Sequence, residues 1–424
     1  MAKQQLHNRL SGEQVKFILN KYLIGEIKAG AAIAKLGVGR TRFYQLSAAY
    51  ESDRANFSID YARQSPTRKI SSEIEKNILA ELKFEKINII DKQDVPTKRY
   101  NYSYIKNLLK DKYSQKVSLD TIIDRAKANN YYLGKPPKKI HDRQILSHYA
   151  GELIQHDSSH HLFAPDAGVK WQLITSLDDF SRKILYGDLW EEETSFKHIL
   201  AAQEVILHYG MPFSYYVDQH SIFRYVKDRD IKSYWVNYSK FTDDADPQWK
   251  RVMKDLKIEI VYALSPQAKG KIERPYQWLQ DHLVRTCVRE GIKKISQARE
   301  VLKSEINRYN YQQVHSTTKE IPAVRFDRAI REKQSLFREF KLEPPFQSTK
   351  DIFCLREERI VDGYRQIKFH KKVFSLTNAL PGQTIDLKIY PDHKTGVMEV
   401  RFWHQDKYLG AQRLKISDLN NVHF

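Results

Sequence analysis

Two cysteines in 424 residues, Cys287 and Cys354, cannot build a disulfide framework, and neither sits at a metal-ligand spacing from another thiol. A reducing cytoplasm is therefore the expected setting, and a structural zinc site is not expected. Long apolar runs are missing too. The hydrophobic stretches are short and broken by charge, so no membrane span is expected, and the opening Met-Ala-Lys-Gln-Gln-Leu-His lacks the apolar stretch of a secretory signal. Internal repeats and low-complexity tracts are absent, which excludes solenoids and points to a length of about two to four globular domains.

What is present is positive charge, unevenly spread. Residues 1–150 carry 28 Lys/Arg against 15 Asp/Glu, a net of +13; residues 151–300 carry 21 against 22; residues 301–424 carry 22 against 15. Basic flanks around a neutral-to-acidic centre suit a protein that grips a polyanion at its ends and keeps carboxylates for metal in the middle.

The first helical pattern covers residues 13–28, with Val15, Ile18, Leu19, Leu23 and Ile27 at helical spacing. Ala31–Leu46 then has the form of a helix-turn-helix: Ile33 and Leu36 pack the first helix, Gly37 takes the turn, and Phe43 and Leu46 pack the second. Arg40, Thr41, Arg42 and Gln45 fall near the start and along the outer face of that second helix, where they are candidates to contact DNA bases and phosphates. A second helix-turn-helix-like module follows in Ile70–Phe84, Tyr102–Lys112 and Val117–Lys127, with Ser118 as N-cap. Gly134-Lys-Pro-Pro-Lys-Lys139 reads as a stiff, basic linker.

Beyond residue 150 the pattern changes. Leu153–Asp157, Trp171–Leu177 and Lys183–Trp190 read as strands, Ser195–His208 as a helix, Phe213–Asp218 as a strand, Gln248–Leu256 as a helix, Ile258–Tyr262 as a strand and Lys271–Glu290 as a long helix. Three strands followed by alternating helices and strands imply a mixed α/β sheet flanked by helices. Residues 298–340 read as helical, and from about 350 six short β-like runs suggest a small β-barrel or sandwich. The expected division is 1–60 and 61–135 for two all-α helix-turn-helix units, 136–144 for a linker, 145–295 for an α/β core, 296–345 for a helical connector and 346–424 for the small β-barrel.

Three acids stand in distinct settings. Asp157 and Asp218 each close a β-like run, and Glu273 opens the helix whose stripe is Ile272, Tyr276, Leu279 and Leu283. Phosphodiester chemistry needs an activated oxygen, neutralised phosphate charge and a stabilised leaving oxygen, which two divalent ions supply together. Mg²⁺ takes only one or two carboxylates per ion, so three convergent acids suffice. Lys269 and Lys271, in the loop before Glu273, are candidate phosphate contacts. Pro275 falls in the first helical turn, where its missing N–H costs little. Asp178 and Asp179, in Ser176-Leu-Asp-Asp-Phe-Ser-Arg182, read as a structural turn, and His156, His160 and His161 lack the spaced partners of a zinc site.

These residues resemble the catalytic core of the DDE transposases of bacterial insertion sequences and of retroviral integrases. The likeness is nearest to the insertion-sequence group ISNCY, through Asp218-Gln-His-Ser-Ile-Phe-Arg224, Ser265-Pro-Gln-Ala-Lys-Gly-Lys-Ile-Glu-Arg274 and Leu279-Gln-Asp-His-Leu-Val284, and more loosely Leu355-Arg-Glu-Glu-Arg359. The resemblance implies a ribonuclease H-like core, with Asp157, Asp218 and Glu273 holding two Mg²⁺ or Mn²⁺ ions. It also implies cleavage at the ends of an element, transfer of the freed 3′-hydroxyl to target DNA, and at least a dimer on double-stranded DNA in a bacterial cytoplasm, near the nucleoid. The interval from Asp218 to Glu273 is 55 residues, longer than in most integrase-like cores, and Tyr225 to Asp246 is expected to form a surface insertion. A DNA-binding regulator derived from a transposase, and a nuclease that never transfers strands, are the alternatives.

Overall fold

The computed structural model describes residues 6–59, 70–134, 147–218, 222–223, 247–263 and 270–418, and of 270–275 only the helical backbone. The linker after Gly134, the 225–246 insertion, Lys269 and most of the motif residues 219–224 and 265–269 lie outside the described residues, as do the side chains of Lys271 and Glu273. The chain divides into two compact units, Met1–Glu75 and Lys76–Phe424.

In the first unit α1 (Gly12–Leu23) begins at a capping box, in which Ser11 Oγ accepts from the Gln14 amide and the Gln14 side chain accepts from the Ser11 amide. It ends short of the expected residue 28 because the chain turns at Gly25, whose φ is +81°. Helix α2 (Ala29–Leu36) stops at Gly37, which holds the left-handed conformation at φ +60°, and α3 (Arg40–Ser52) starts three residues later. Val15, Leu19, Ala32, Leu36, Phe43 and Leu46 close one core across the three helices. Arg9 donates to the carbonyls of Leu36 and Gly37 at 2.9 and 3.2 Å, satisfying the C-terminus of α2.

Helix α4 (Ser72–Glu85) runs across the division at Glu75 and is extended by a π-helical turn at Lys86–Ile90; α5 (Tyr102–Tyr113) and α6 (Leu119–Ala128) follow in the larger unit, where Ser118 caps α6 by accepting from the Thr121 amide. The centre of this unit is a five-stranded sheet in the order β3-β2-β1-β4-β5, formed by β1 (Leu153–His161), β2 (Trp171–Asp178), β3 (Ile184–Trp190), β4 (Ser214–Val217) and β5 (Glu259–Tyr262). The first three strands are antiparallel neighbours, while β4 and β5 run parallel to β1. Helices α7 (Ser195–Tyr209) and α8 (Gln248–Asp255) cover one face through Ile199, Ala202, Trp249 and Met253 against Ile154, Tyr215 and Val217. Helices α9 (Gly270–Glu290) and α10 (Ile295–Tyr311) cover the other through Tyr276, Leu279, Leu283 and Leu302 against Leu173 and Leu177. This is a mixed sheet between two helical layers.

The expected helical stretch 298–340 is instead α10 and the short α11 (Pro322–Arg331), followed by irregular chain. The C-terminal strands β6 (Leu355–Ile360), β9 (Thr384–Asp392), β10 (Val397–His404) and β11 (Lys407–Lys415) form a four-stranded antiparallel sheet in the order β11-β10-β9-β6, and β7 (Gln366–Phe369) pairs with β8 (Lys372–Ser375) as a hairpin. Both pack around Ile367, Phe369, Leu387, Val400 and Phe402. Arg401 and Trp403 both donate to the fully buried carboxylate of Asp351. Among the described residues no helix is long and apolar enough to cross a membrane.

Candidate active site

Asp157 does not end a strand, as its sequence setting suggested. It lies inside β1, because the polar tail Asp157–His161 pairs in full with β2 and ends at His161 opposite Trp171. Alternation along β1 puts Ile154 and His156 on the α7–α8 face and Leu153, Gln155 and Asp157 on the α9 face. Asp218 directly follows β4, whose register with β1 sets Leu153 against Ser214 and Gln155 against Tyr216. The ladder ends there: Asp157 lies two residues beyond Gln155 on β1, and Asp218 two residues beyond Tyr216, just past the end of β4. Both residues are half-buried.

Helix α9 crosses this face of the sheet. The Tyr276 hydroxyl accepts from Thr175 Oγ1 at 2.8 Å and donates to the main-chain carbonyl of Asp157, while Gln280 Nε2 donates to Ser159 Oγ at 2.7 Å. Burial, and then the nearby Asp157 charge, push the Tyr276 phenol well above its ordinary value, so it stays a proton donor. Glu273 lies three residues before Tyr276 on the same helix, hence about one turn nearer its start. Asp157 and Asp218 thus each follow the same parallel β1–β4 pair by two residues, and the Glu273 backbone lies near the start of the helix that touches Asp157.

His156 faces away from these acids. Its Nδ1 meets Ser176 Oγ at 2.9 Å and its Nε2 meets His198 Nδ1 at 2.8 Å; His198 Nε2 then meets Glu193 Oε1 at 2.9 Å. Both imidazoles are fully buried. Among the described residues no group of three or more His, Cys, Asp or Glu is placed to hold a metal ion, and the Glu273 side chain is not among them. Asp157 and Asp218 are carboxylate donors, which fit a hard divalent cation rather than zinc.

Asp178 and Asp179 form the buried turn between β2 and β3. Asp178 accepts from the Gly151 and Ser181 amides at 2.9 Å each and from the Ser181 hydroxyl, and burial pushes its carboxyl up to about 6. Asp179 pairs with Arg182 at 2.7 Å and accepts from Gln155 Nε2. Arg40, Thr41, Arg42 and Gln45 are all exposed on the first turns of α3. Tyr276, His198 and Glu193 were not singled out from the sequence. Only Tyr276 left a signal there, as part of the helical stripe.

This α/β sheet, with one acid on β1 and another just after β4, belongs to a chain similar in sequence to transposases of insertion sequences. The chain is 29% identical over 273 residues to a protein of Sinorhizobium fredii that carries the name transposase y4bF, a match taking in 63% of this chain and 54% of that relative. It is 28% identical over 322 residues to the transposase for insertion sequence IS1202 of Streptococcus pneumoniae, covering 72% of this chain and 61% of that one. The chain therefore spans little more than half the length of these relatives. No family model matches it. Among solved structures it is similar to a chain of the simian T-cell lymphotropic virus intasome in complex with PP2A regulatory subunit B56 gamma, at 12% identity, 70% of this chain, 89% of that chain and a TM-score of 0.36. It is also similar to the HTLV-2 integrase catalytic core domain in complex with magnesium in its trimeric form, at 15% identity, 42% and 96% coverage and a TM-score of 0.31.

Proposed function

We propose that the chain is an insertion-sequence transposase that binds the terminal repeats of its element and carries out metal-dependent strand cleavage and strand transfer on DNA. The observation that supports the reading is the parallel β1–β4 pair, which ends two residues before both Asp157 and Asp218, with α9 bonded to the Asp157 main chain one turn after Glu273. Asp157, Asp218 and Glu273 would hold two Mg²⁺ or Mn²⁺ ions. When bound, such ions neutralise phosphate charge and favour both the attacking and the leaving oxygen of an in-line displacement. The protein's own part is positional: the ladder with β2 fixes the Asp157 backbone, and Tyr276 ties that backbone to α9.

In this reading the sheet and its helices are a ribonuclease H-like core, and α2 and α3 a helix-turn-helix. Arg40, Thr41, Arg42 and Gln45 read element-end DNA, while Lys269 and Lys271 contact phosphates. The C-terminal β domain supports DNA or subunit contacts, and two element ends require at least two copies of the chain.

Purified protein given a labelled duplex carrying the element end, in Mg²⁺, Mn²⁺ or Ca²⁺, tests the reading. Cleaved and joined products are expected in Mg²⁺ and Mn²⁺, with Asp218→Asn reducing cleavage by about 10³-fold or more while leaving DNA binding intact. Binding without cleavage in every metal would instead support a DNA-binding regulator, and cleavage without joining a nuclease.

A further inference from the structure

We propose that Glu193, His198, His156 and Ser158 form a positioning network that holds Asp157 in metal-binding geometry from the opposite face of the sheet; this rests on reading Asp157 as a metal-binding acid. The contacts form one continuous chain. Ser176 Oγ, His156, His198 and Glu193 follow one another at 2.9, 2.8 and 2.9 Å, and Ser158 Oγ donates to the same Glu193 oxygen at 2.5 Å. It starts on β2 at Ser176 and meets β1 at His156 and Ser158, the immediate neighbours of Asp157 on either side.

Proton accounting gives the chain a direction. With Glu193 ionised, its Oε1 accepts from both Ser158 and the Nε2–H of His198. His198 Nδ1 must then accept from the Nε2–H of His156, whose Nδ1 accepts from Ser176. Aromatic rings enclose both imidazoles. Trp249 stacks on His156 at 6.0 Å with ring planes 8° apart, and Phe223 meets the two imidazoles edge-on at 5.7 and 5.0 Å. Tethering residues i−1 and i+1 of a strand on one face fixes the pleat between them, and so the direction of the side chain at i on the other face. On that other face Tyr276 bonds the Asp157 carbonyl, so the main chain is held from both sides. Partners behind a metal ligand commonly change metal affinity by 10- to 100-fold when removed.

The test is Mn²⁺ uptake by the full-length protein, read from the electron paramagnetic resonance signal of free Mn²⁺, beside thermal melting and DNA binding in Ca²⁺. Glu193→Ala is expected to raise the Mn²⁺ Kd about tenfold or more, with DNA binding in Ca²⁺ unchanged. Glu193→Gln, whose amide oxygen still accepts from His198 and Ser158, is expected to stay within about twofold of the parent protein. Ser158→Ala removes one bond from a half-buried position and is expected to weaken Mn²⁺ uptake about fivefold; it decides the matter if Glu193→Ala does not fold. Parental Mn²⁺ affinity in folded Glu193→Ala overturns the inference while leaving the metal site standing, and Glu193→Gln as weak as Glu193→Ala overturns it in favour of a role for charge. A parent protein that takes up no Mn²⁺, or takes it up equally well as Asp157→Asn, overturns the metal reading and this inference with it.

Discussion

Arg285→Met removes the central cation of a buried cluster that joins α4 to α9. Arg285 and Glu85 are fully buried and in direct contact, and Arg285 Nη2 reaches Asp281 Oδ1 at 2.9 Å. Arg289 bridges Glu81 and Glu85 at 2.6 and 2.8 Å, and Lys112 reaches Glu81 at 3.0 Å. Three carboxylates thus face three cations, and losing Arg285 leaves one negative charge uncompensated. Breaking such a pair from one side costs about 3–5 kcal/mol. With an unfolding entropy of about 2.1 cal/mol/K per residue, a unit of about 350 residues melts about 4–7 °C lower. Scanning calorimetry of the full chain reads the shift. Arg285→Met with Glu85→Met removes both partners and is expected to recover at least half of it, since apolar replacement of a buried pair is often close to neutral. A single variant that melts within about 1 °C of the parent, or a double variant that loses the sum of its two singles, would refute the reasoning.

Two further outcomes follow from local chemistry. Gly37→Ala forces a side chain into φ +60° and sets its Cβ 2.4 Å from Arg9 Nη1; a loss of about 1–2 kcal/mol is expected, seen as faster hydrogen exchange across residues 29–52, and unchanged exchange would contradict it. Asp178, raised to about 6 in the fold from an ordinary value of 3.8, binds its proton more tightly folded than unfolded. Its contribution is therefore greatest below about pH 4 and declines as pH rises through about 6. Melting curves across that window should show the decline flattened in Asp178→Asn, and an unaltered slope would exclude the assignment.

The turn at Gly37 was legible in the sequence because a glycine between two apolar-periodic runs marks a left-handed residue, and α9 was legible because Tyr276, Leu279 and Leu283 keep one stripe that the fold buries. The extent of β1 was not. Asp157-Ser-Ser-His-His161 has no apolar alternation, and only its pairing with β2 makes it a strand. The histidine network was equally hidden, since His156 and His198 lie 42 residues apart, and so was the burial of Glu85, whose partner Arg289 is 204 residues away. Sequence periodicity reports which face an element buries, whereas polar partners are chosen by the tertiary fold. For the acids, residue type and strand setting were legible, whereas their position two residues beyond one parallel strand pair depends on β4 lying directly beside β1.

Helix α9 is fixed at one end by the charged cluster at Arg285 and touches the Asp157 main chain through Tyr276. Between these points the helix behaves as a ruler with an angular scale. Each residue inserted or deleted there advances the axis by about 1.5 Å and turns everything before it by about 100°. Glu273 lies beyond both points, so the nine steps from Tyr276 to Arg285 set its phase against the cluster. Lineages of this chain should therefore tolerate substitution along that stretch far better than any change in its length.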